Sequence, residues 1–534
     1  MVVWVASREY AGIAEAGGVK NVTCSLCENL VRLGNKVIAF LPLYGCSDLQ
    51  NVTSFQKNDL MNTEISVHGK LEKVQYATGW SCGVEIVFVC HPSFAEKRAV
   101  YTYTAEEERL NNSHVHGTGH EDALFLNTLF QKAVVSFASF CQPDQIPDIV
   151  HCQDATTAII PTFIKYAAET AMTERIVFSH TKCVVTIHNA GPGYHHEFPS
   201  AQECIAYTGL PLEAVEKSMN GDRVEPFLLA SLNAQLTTVS PQYAKEIADG
   251  TTQTAGLSES FKYHHIIIKG ITNGIEFSKY DPSDIKKSLL PFVFNPARKD
   301  LLGKYHCRRF FLEKFFDDST ADGSPVETYQ GIEQFGHLET GSAADPCEPV
   351  FLSYHGRIVR QKGIDILAGA ASYLLAHDAL VRFIFIGQGE QSLENELIDL
   401  SRKYPGKCLF LRGYNRSLAR LCIAVADFAV FPSTFEPCGL EDFIAQVYGT
   451  IPIAHATGGL CKIIDEQTGF LYKENTDAEI SEIIQSLVTL KQAEGDLFNN
   501  MIAYTASYVR QHYSWRTVVK EKYIPLYTAL LGKK

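Results

Sequence analysis

Two short stretches in the C-terminal half carry residue types that could do chemistry. Glu436 comes just after the apolar run Phe428, Ala429, Val430, Phe431 and Pro432. A run of that length and continuous hydrophobicity reads as a buried parallel strand, which places the acid in the loop past the strand's C-terminal end. Ligands bind at that edge of open α/β sheets, because helix N-termini and turn amides converge there with partial positive charge. Thr457, Gly458 and Gly459 occupy the same edge after the next run, Ile451 to Ala454. An acid beside a glycine turn suits a sugar hydroxyl next to a phosphate. The competing reading is that Glu436 only caps the following helix and the glycines only make a turn.

The elements that must position these residues form two similar series. At the N-terminus, a strand at Val2 to Val5 leads into Ala11-Gly-Ile-Ala-Glu-Ala-Gly-Gly-Val19. Val22, Leu26, Leu30 and Leu33 then recur at helical spacing until Gly34, and Lys36 to Leu41 is the next strand. Strand, glycine loop, helix and strand make a nucleotide-binding type of βαβ unit. A G-x-G-x-x-G fingerprint is missing, which weakens the case for a dinucleotide oxidoreductase. Further strands are expected at Val84 to Val89, Asp148 to His151, Val184 to His188, Gln235 to Val239 and His265 to Ile271. The polar stretch from Ile271 to Pro282 closes a first domain, residues 1–275. The pattern restarts at Val350, with strands expected at 350–354, 382–386, 408–411, 428–431 and 451–454 and a helix from Gly363, giving a second domain over residues 276–510. Within it, about 317–349 is rich in Gly, Ser, Thr, Asp and Pro and reads as a mobile surface insertion. Residues 511–534, with Trp515, Tyr523 and Tyr527, read as a helix packing back across the domain boundary.

Composition removes several classes of function. A chain of 534 residues exceeds one ordinary core, so two domains are expected. Hydrophobic residues make up 46% and charged residues 20%, as in a well-packed soluble protein. A formal charge of −13 argues against nucleic acid as a partner, since such binding relies on basic patches. The opening MVVWVAS lacks a basic leader region, and no window approaches the roughly 18 uninterrupted apolar residues of a membrane span. Neither a leader nor a membrane contact is expected, and the cytoplasm is the expected compartment. The 15 cysteines then read as reduced thiols. Cys24 and Cys27 lack a second pair at zinc-finger spacing, so helix packing is the reading there.

The motifs together resemble the bacterial glycogen synthase and plant starch synthase family of retaining GT-B glucosyltransferases. The likeness runs nearly the whole length, in order. It is carried by Ala16-Gly-Gly18, Pro147-Asp-Ile-Val-His-Cys-Gln-Asp154, Thr186-Ile-His-Asn189, Val239-Ser-Pro-Gln-Tyr-Ala-Lys-Glu-Ile247, Thr272-Asn-Gly-Ile275, Gly356-Arg-Ile-Val-Arg-Gln-Lys-Gly363, Phe435-Glu-Pro-Cys-Gly-Leu440 and Thr457-Gly-Gly-Leu460. The resemblance implies two Rossmann-like, doubly wound parallel-sheet domains facing a cleft. It implies a nucleotide-sugar donor, ADP-glucose or UDP-glucose, and an α-1,4-glucan acceptor, with no cofactor and no metal. Arg357 and Lys362 would neutralise the donor's diphosphate, the one as a planar fork and the other as a compact charge. Glu436 would hold the transferred glucose and stabilise positive charge at its anomeric carbon. Cys438, Gly439 and Leu440 would line the sugar pocket through their backbone, together with Asn273. Thr457, Gly458 and Gly459 would add amides at a helix N-terminus, and Tyr414 would stack on the donor's base. From the first domain, Gly17 and Gly18 would lie against the phosphates and His188 and Asn189 near the sugar and acceptor.

Three positions depart from the family pattern. The family loop usually reads Lys-x-Gly-Gly-Leu, and Glu15 stands where its lysine does; Lys20 is the candidate substitute charge. Thr156 stands where His or Gln is common. Glu441-Asp442 replaces the usual Thr-Gln after Phe-Glu-Pro-Cys-Gly-Leu. The leading expectation is therefore glycogen-type glucan elongation. The alternatives are another retaining GT-B transferase using UDP-glucose, or a weakened homologue that binds glucan as a scaffold or regulator.

Overall fold

The computed structural model describes residues 1–316, 322–340, 348–378 and 380–532. The chain divides into two compact units, Met1–Ile271 with Trp515–Lys534, and Thr272–Ser514.

The first unit is built on a nine-stranded sheet. Its strands are β1 (Val2–Ala6), β2 (Lys36–Pro42), β3 (Thr53–Val67), β4 (Lys70–Ser81), β5 (Val84–Cys90), β6 (Ile149–Gln153), β7 (Lys182–Ile187), β10 (Gln235–Thr238) and β11 (Lys269–Gly270), in the order β11-β10-β7-β6-β1-β2-β5-β4-β3. A separate two-residue ribbon pairs β8 (Met219–Asn220) with β9 (Arg223–Val224). From β11 to β5 neighbouring strands run parallel, and β3 and β4 add an antiparallel edge. Val3, Val5, Val37, Ala39, Ile86 and Phe88 are buried, as continuous apolar runs covered on both faces must be. The helix Val19–Arg32 buries Cys24, Leu26, Cys27 and Leu30, and Gly34 turns the chain out of it at φ +83. Its two cysteines are therefore core side chains. Trp515, Val518, Val519, Tyr523 and Tyr527 join the same core, and Tyr527 Oη lies 2.7 Å from His151 Nδ1.

The second unit carries eight strands, β12 (Asp322–Pro325), β13 (Ile332–Gly336), β14 (Val350–His355), β15 (Val381–Gly387), β16 (Cys408–Gly413), β17 (Phe428–Phe431), β18 (Ile451–His455) and β19 (Phe470–Tyr472), in the order β12-β13-β16-β15-β14-β17-β18-β19. Strands β14 to β19 pair in parallel. Buried Asp427, just before β17, pairs with Arg308 at 2.6 Å and Lys491 at 2.8 Å and accepts the Phe351 amide at 2.9 Å. That network ties the start of β17 to β14, so the loops beyond both strands emerge side by side.

Two expectations from sequence are corrected, and one element is added. The stretch 317–349 is not an insertion without structure: its described part forms the hairpin β12–β13, whose second strand pairs antiparallel with β16 from Ile332↔Gly413 to Gly336↔Leu409. Ile332, Phe335 and Leu338 are buried there, while 317–321 and 341–347 lie outside the described residues. The strand expected over His265 to Ile271 shrinks to Lys269–Gly270. The β3–β4 hairpin has no counterpart in the sequence reading. One described helical stretch, Ala123–Phe140, is long and apolar enough to cross a membrane, and Leu126, Leu129, Phe130, Ala133 and Val134 on it are buried inside the first unit.

Candidate active site

In the second unit the loop after β14 docks on the loop after β17. Gln361 reaches from one to the other twice: its carbonyl accepts the Thr434 amide at 3.0 Å, and its Nε2 donates to the Phe435 carbonyl at 3.3 Å. Gly363 turns at φ +67 with Pro432 so close that a Cβ would stand 2.0 Å from its carbonyl oxygen. The result brings the ammonium of Lys362 onto the carboxylate of Glu436, an ion pair whose side chains are 22% and 18% exposed. Ser433 Oγ also donates to Glu436, at 3.4 Å. Arg357 is exposed on the same loop as Lys362, and its guanidinium has no hydrogen-bond or ion-pair partner among the described residues. An acid, a paired lysine and an open arginine thus converge at the C-terminal edge of a parallel sheet. Tyr414 follows β16 at that edge, 72% exposed. Burial pushes the thiol of Cys438 up, against the pull of Lys462 and of the Asn273 backbone that hydrogen-bonds it; the Asn273 side-chain oxygen is buried without a partner among the described residues.

The Thr457-Gly-Gly turn differs from expectation in form. It opens a short 3₁₀ turn, Gly458–Lys462, where an α-helix start was expected. The Thr457 amide donates to the His455 carbonyl at 2.8 Å and that of Gly459 to the Glu436 carbonyl at 2.7 Å. Its glycines serve packing. A Cβ on Gly458 would stand 2.0 Å from the Glu436 carbonyl oxygen, and one on Gly459 would stand 1.9 Å from that of Cys438. Only bare glycine lets the two loops touch.

In the first unit, β1 ends in two buried charges. Arg8 donates to Tyr44 Oη at 2.6 Å, to Asn127 Oδ1 at 2.8 Å and to the Val100 carbonyl at 2.6 Å. Glu9 accepts the amides of Ala16 and Gly17 at 3.2 and 2.5 Å. The Gly17 amide is thus bound to a carboxylate of its own chain. Glu15 accepts the Gly12 amide at 2.7 Å and pairs with Lys20 at 2.9 Å, so the departure from the family loop and its candidate substitute charge meet each other. Gly18 is exposed, and a Cβ there would meet nothing within 4 Å. His188, past the end of β7, places Nε2 2.8 Å from Gln153 Oε1, and burial pushes its pKa down to about 4, so it is neutral near pH 7 and donates Nε2–H to that oxygen. Asp154 holds a positive φ of 66, and desolvation pushes its carboxyl up to about 7, against the His188 amide. Asn189 Oδ1 accepts the Gly191 amide at 2.8 Å. Thr156 is buried in the 3₁₀ turn Ala155–Thr157, its hydroxyl without a partner among the described residues.

Two family models cover most of the chain: a starch synthase catalytic domain matches residues 2–262, and glycosyl transferases group 1 matches residues 342–507. A glycogen synthase of Thermodesulfovibrio yellowstonii is 29% identical over 100% of this chain and 99% of its own. Granule-bound starch synthase 1 of Arabidopsis thaliana is 27% identical over 90% of this chain and 73% of its own. Among solved structures, the catalytic domain of starch synthase IV from Arabidopsis thaliana, bound to ADP and acarbose, superposes with a TM-score of 0.76 at 25% identity, covering 100% of this chain and 99% of that one. The chain belongs to the glycogen and starch synthase family. Its two α/β units are the two Rossmann-like domains of that GT-B family.

Some residues that shape this synthase-family site escaped the sequence reading. Glu9 is one; the adjacent charges Arg8-Glu9 at the end of an apolar strand were the available signal. Another is His195, whose Nε2–H donates to the Ala190 carbonyl at 2.7 Å while Nδ1 faces Glu225 at 2.7 Å. Burial lowers its pKa, and the hydrogen bond and charge of Glu225 more than offset this, raising it to about 8. His195 thereby fixes the backbone two residues beyond His188. With Glu197 these residues have ligand atoms within 4.8 Å of one another, but Glu197 is paired with Arg223 at 3.1 Å, and ion pairing accounts for the cluster.

Proposed function

We propose that the chain is a retaining glucosyltransferase that moves glucose from ADP-glucose to the 4-hydroxyl at the non-reducing end of an α-1,4-glucan. The observation that carries this is the Lys362–Glu436 ion pair beside the open guanidinium of Arg357. A diphosphate arriving there supplies the anion that Arg357 lacks and competes with Glu436 for Lys362. Lys362 would turn from Glu436 to the phosphates, and Glu436 would be released to the sugar hydroxyls and to the positive charge developing at the anomeric carbon. Arg357 and Lys362 would stabilise the leaving phosphate's charge in the transition state. The nearby acids Glu441 and Asp442 are engaged by His355 and Lys462, which favours a front-face displacement assisted by the leaving phosphate over a glycosidase-like carboxylate pair. Tyr414 would stack on the adenine, and the open space at Gly18 suits a ligand's approach.

The test is transfer of radiolabelled glucose into glycogen, with ADP-glucose and UDP-glucose offered separately. ADP-glucose is expected to be used, with Lys362→Ala and Glu436→Gln each lowering kcat by about 10²- to 10³-fold. A preference for UDP-glucose overturns the donor assignment. A second reading, a glucan-binding homologue that transfers nothing, is favoured by Glu15, whose carboxylate neutralises Lys20. Glycogen binding without incorporation from either donor would establish it.

A further inference from the structure

Lys462 is a buried lysine that no part of the proposed reaction uses. Its side chain is 3% exposed, so it cannot touch a ligand directly. An ammonium has three donors, and all three are engaged: the Cys438 carbonyl at 2.6 Å, the Gly439 carbonyl at 3.1 Å and Asp442 Oδ1 at 2.9 Å. Phe443 lies beneath the same charge, 4.4 Å from ring centroid to Nζ. Asp442 is itself fully buried and is one of the two acids that stand where the family has Thr-Gln. A buried carboxylate needs a partner, and a buried ammonium needs one too; Asp442 and Lys462 meet that need for each other.

The geometry of the peptide unit turns this anchor into an aiming device. In a trans peptide the N–H points opposite to the preceding C=O. With the carbonyls of Cys438 and Gly439 drawn onto Lys462, the amides of Gly439 and Leu440 must face the other way. Those two amides have no hydrogen-bond partner among the described residues, and both residues are only half-buried. Gly439 makes the turn possible at φ +70, where a Cβ would also press on Asp442 Oδ1 at 2.9 Å and Lys462 Nζ at 3.1 Å.

We propose that Lys462 is a positioning residue that, through the carbonyls of Cys438 and Gly439, aims the amides of Gly439 and Leu440 at the hydroxyls of the transferred sugar. This rests on the glucosyltransferase reading given above. Its chemistry is specific to the sugar: the nucleoside diphosphate is held by other groups.

The experiment compares wild type, Lys462→Met and the double variant Lys462→Met with Asp442→Leu, which removes the buried charges together and keeps the protein folded if the single variant does not fold. Glucose transfer from ADP-glucose gives kcat, and calorimetric titration with ADP gives affinity for the part of the donor without sugar. The expected result is a fall in kcat of about 10²-fold in the folded variants, with the Kd for ADP within about 3-fold of wild type. A double variant with wild-type kcat overturns the role. A double variant that loses ADP affinity and kcat in parallel overturns it too, by making Lys462 a support of the fold alone. A wild-type chain inactive with both ADP-glucose and UDP-glucose overturns the function and this role with it.

Discussion

The chain holds two glycine pairs at the edges of two parallel sheets, and they are glycines for different reasons. Gly458-Gly459 is demanded from within: each Cβ would fall on a carbonyl of the Glu436 loop, at 2.0 and 1.9 Å. Gly17-Gly18 is not. A Cβ on Gly17 would make only an ordinary contact, 3.4 Å from Glu9 Oε1, and one on Gly18 would enter open space with φ at −77. Packing therefore explains the second pair, and no such packing demand exists at the first. The side chains around them differ in the same sense. Lys362 faces Glu436, on whose loop the second pair packs, whereas Glu9 takes up the amides of Ala16 and Gly17 and Glu15 that of Gly12.

The largest effect that separates the two pairs is expected at Gly459. Gly459→Ala should cost about 3 kcal/mol of stability, visible as a lowered midpoint in urea, because backbone must move to admit the methyl. An unchanged midpoint would mean the two loops do not touch as described. An intermediate effect tests whether the first unit's loop after β7 rests on charge. His195, raised to about 8 from an ordinary value near 6.5, contributes about 2 kcal/mol that is fully present below pH 6.5 and lost as pH rises through 8. Thermal midpoints measured across that range should fall in wild type and lose that slope in Glu225→Gln; equal slopes would place the titration elsewhere. The smallest effect is expected at Gly18. Gly18→Ala should change stability by less than about 1 kcal/mol, in the stabilising direction, while raising KM for the donor. If KM stays put, no ligand approaches that glycine. Glu15→Lys, which restores the family's charge, should lower the same KM, by about 10-fold at most.

What was legible in the sequence follows the same divide between continuous and dispersed signals. Strands such as Phe428–Phe431 announce themselves because burial on both faces selects a continuous apolar run, which Glu85 alone interrupts in Val84–Cys90. The hairpin β3–β4 does not, since Lys57, Asn58, Asp59, Asn62 and Glu64 give its first strand no apolar alternation. In β12–β13 a few buried apolar side chains, Ile332 and Phe335 among them, stand amid turn-forming residues, and composition hides them. Glu436 could be picked out from its place after a strand. Its pairing with Lys362 could not, because the partners are 74 positions apart and meet only when β14 and β17 lie side by side. The contacts of Lys462 were hidden for a like reason: two of its three acceptors are backbone carbonyls, which any residue supplies.

The hairpin β12–β13 has a consequence for how this protein behaves among its own copies. Without it, β16 would end the sheet with a bare row of amides and carbonyls, a template on which another chain can add a strand. With it, the sheet ends at the four-residue β12, which carries Gly323 and closes on Pro325. So short a strand, with proline supplying no donor, is a poor template. The segment that reads in sequence as a mobile surface insertion thus covers an edge on which a further chain could otherwise pair.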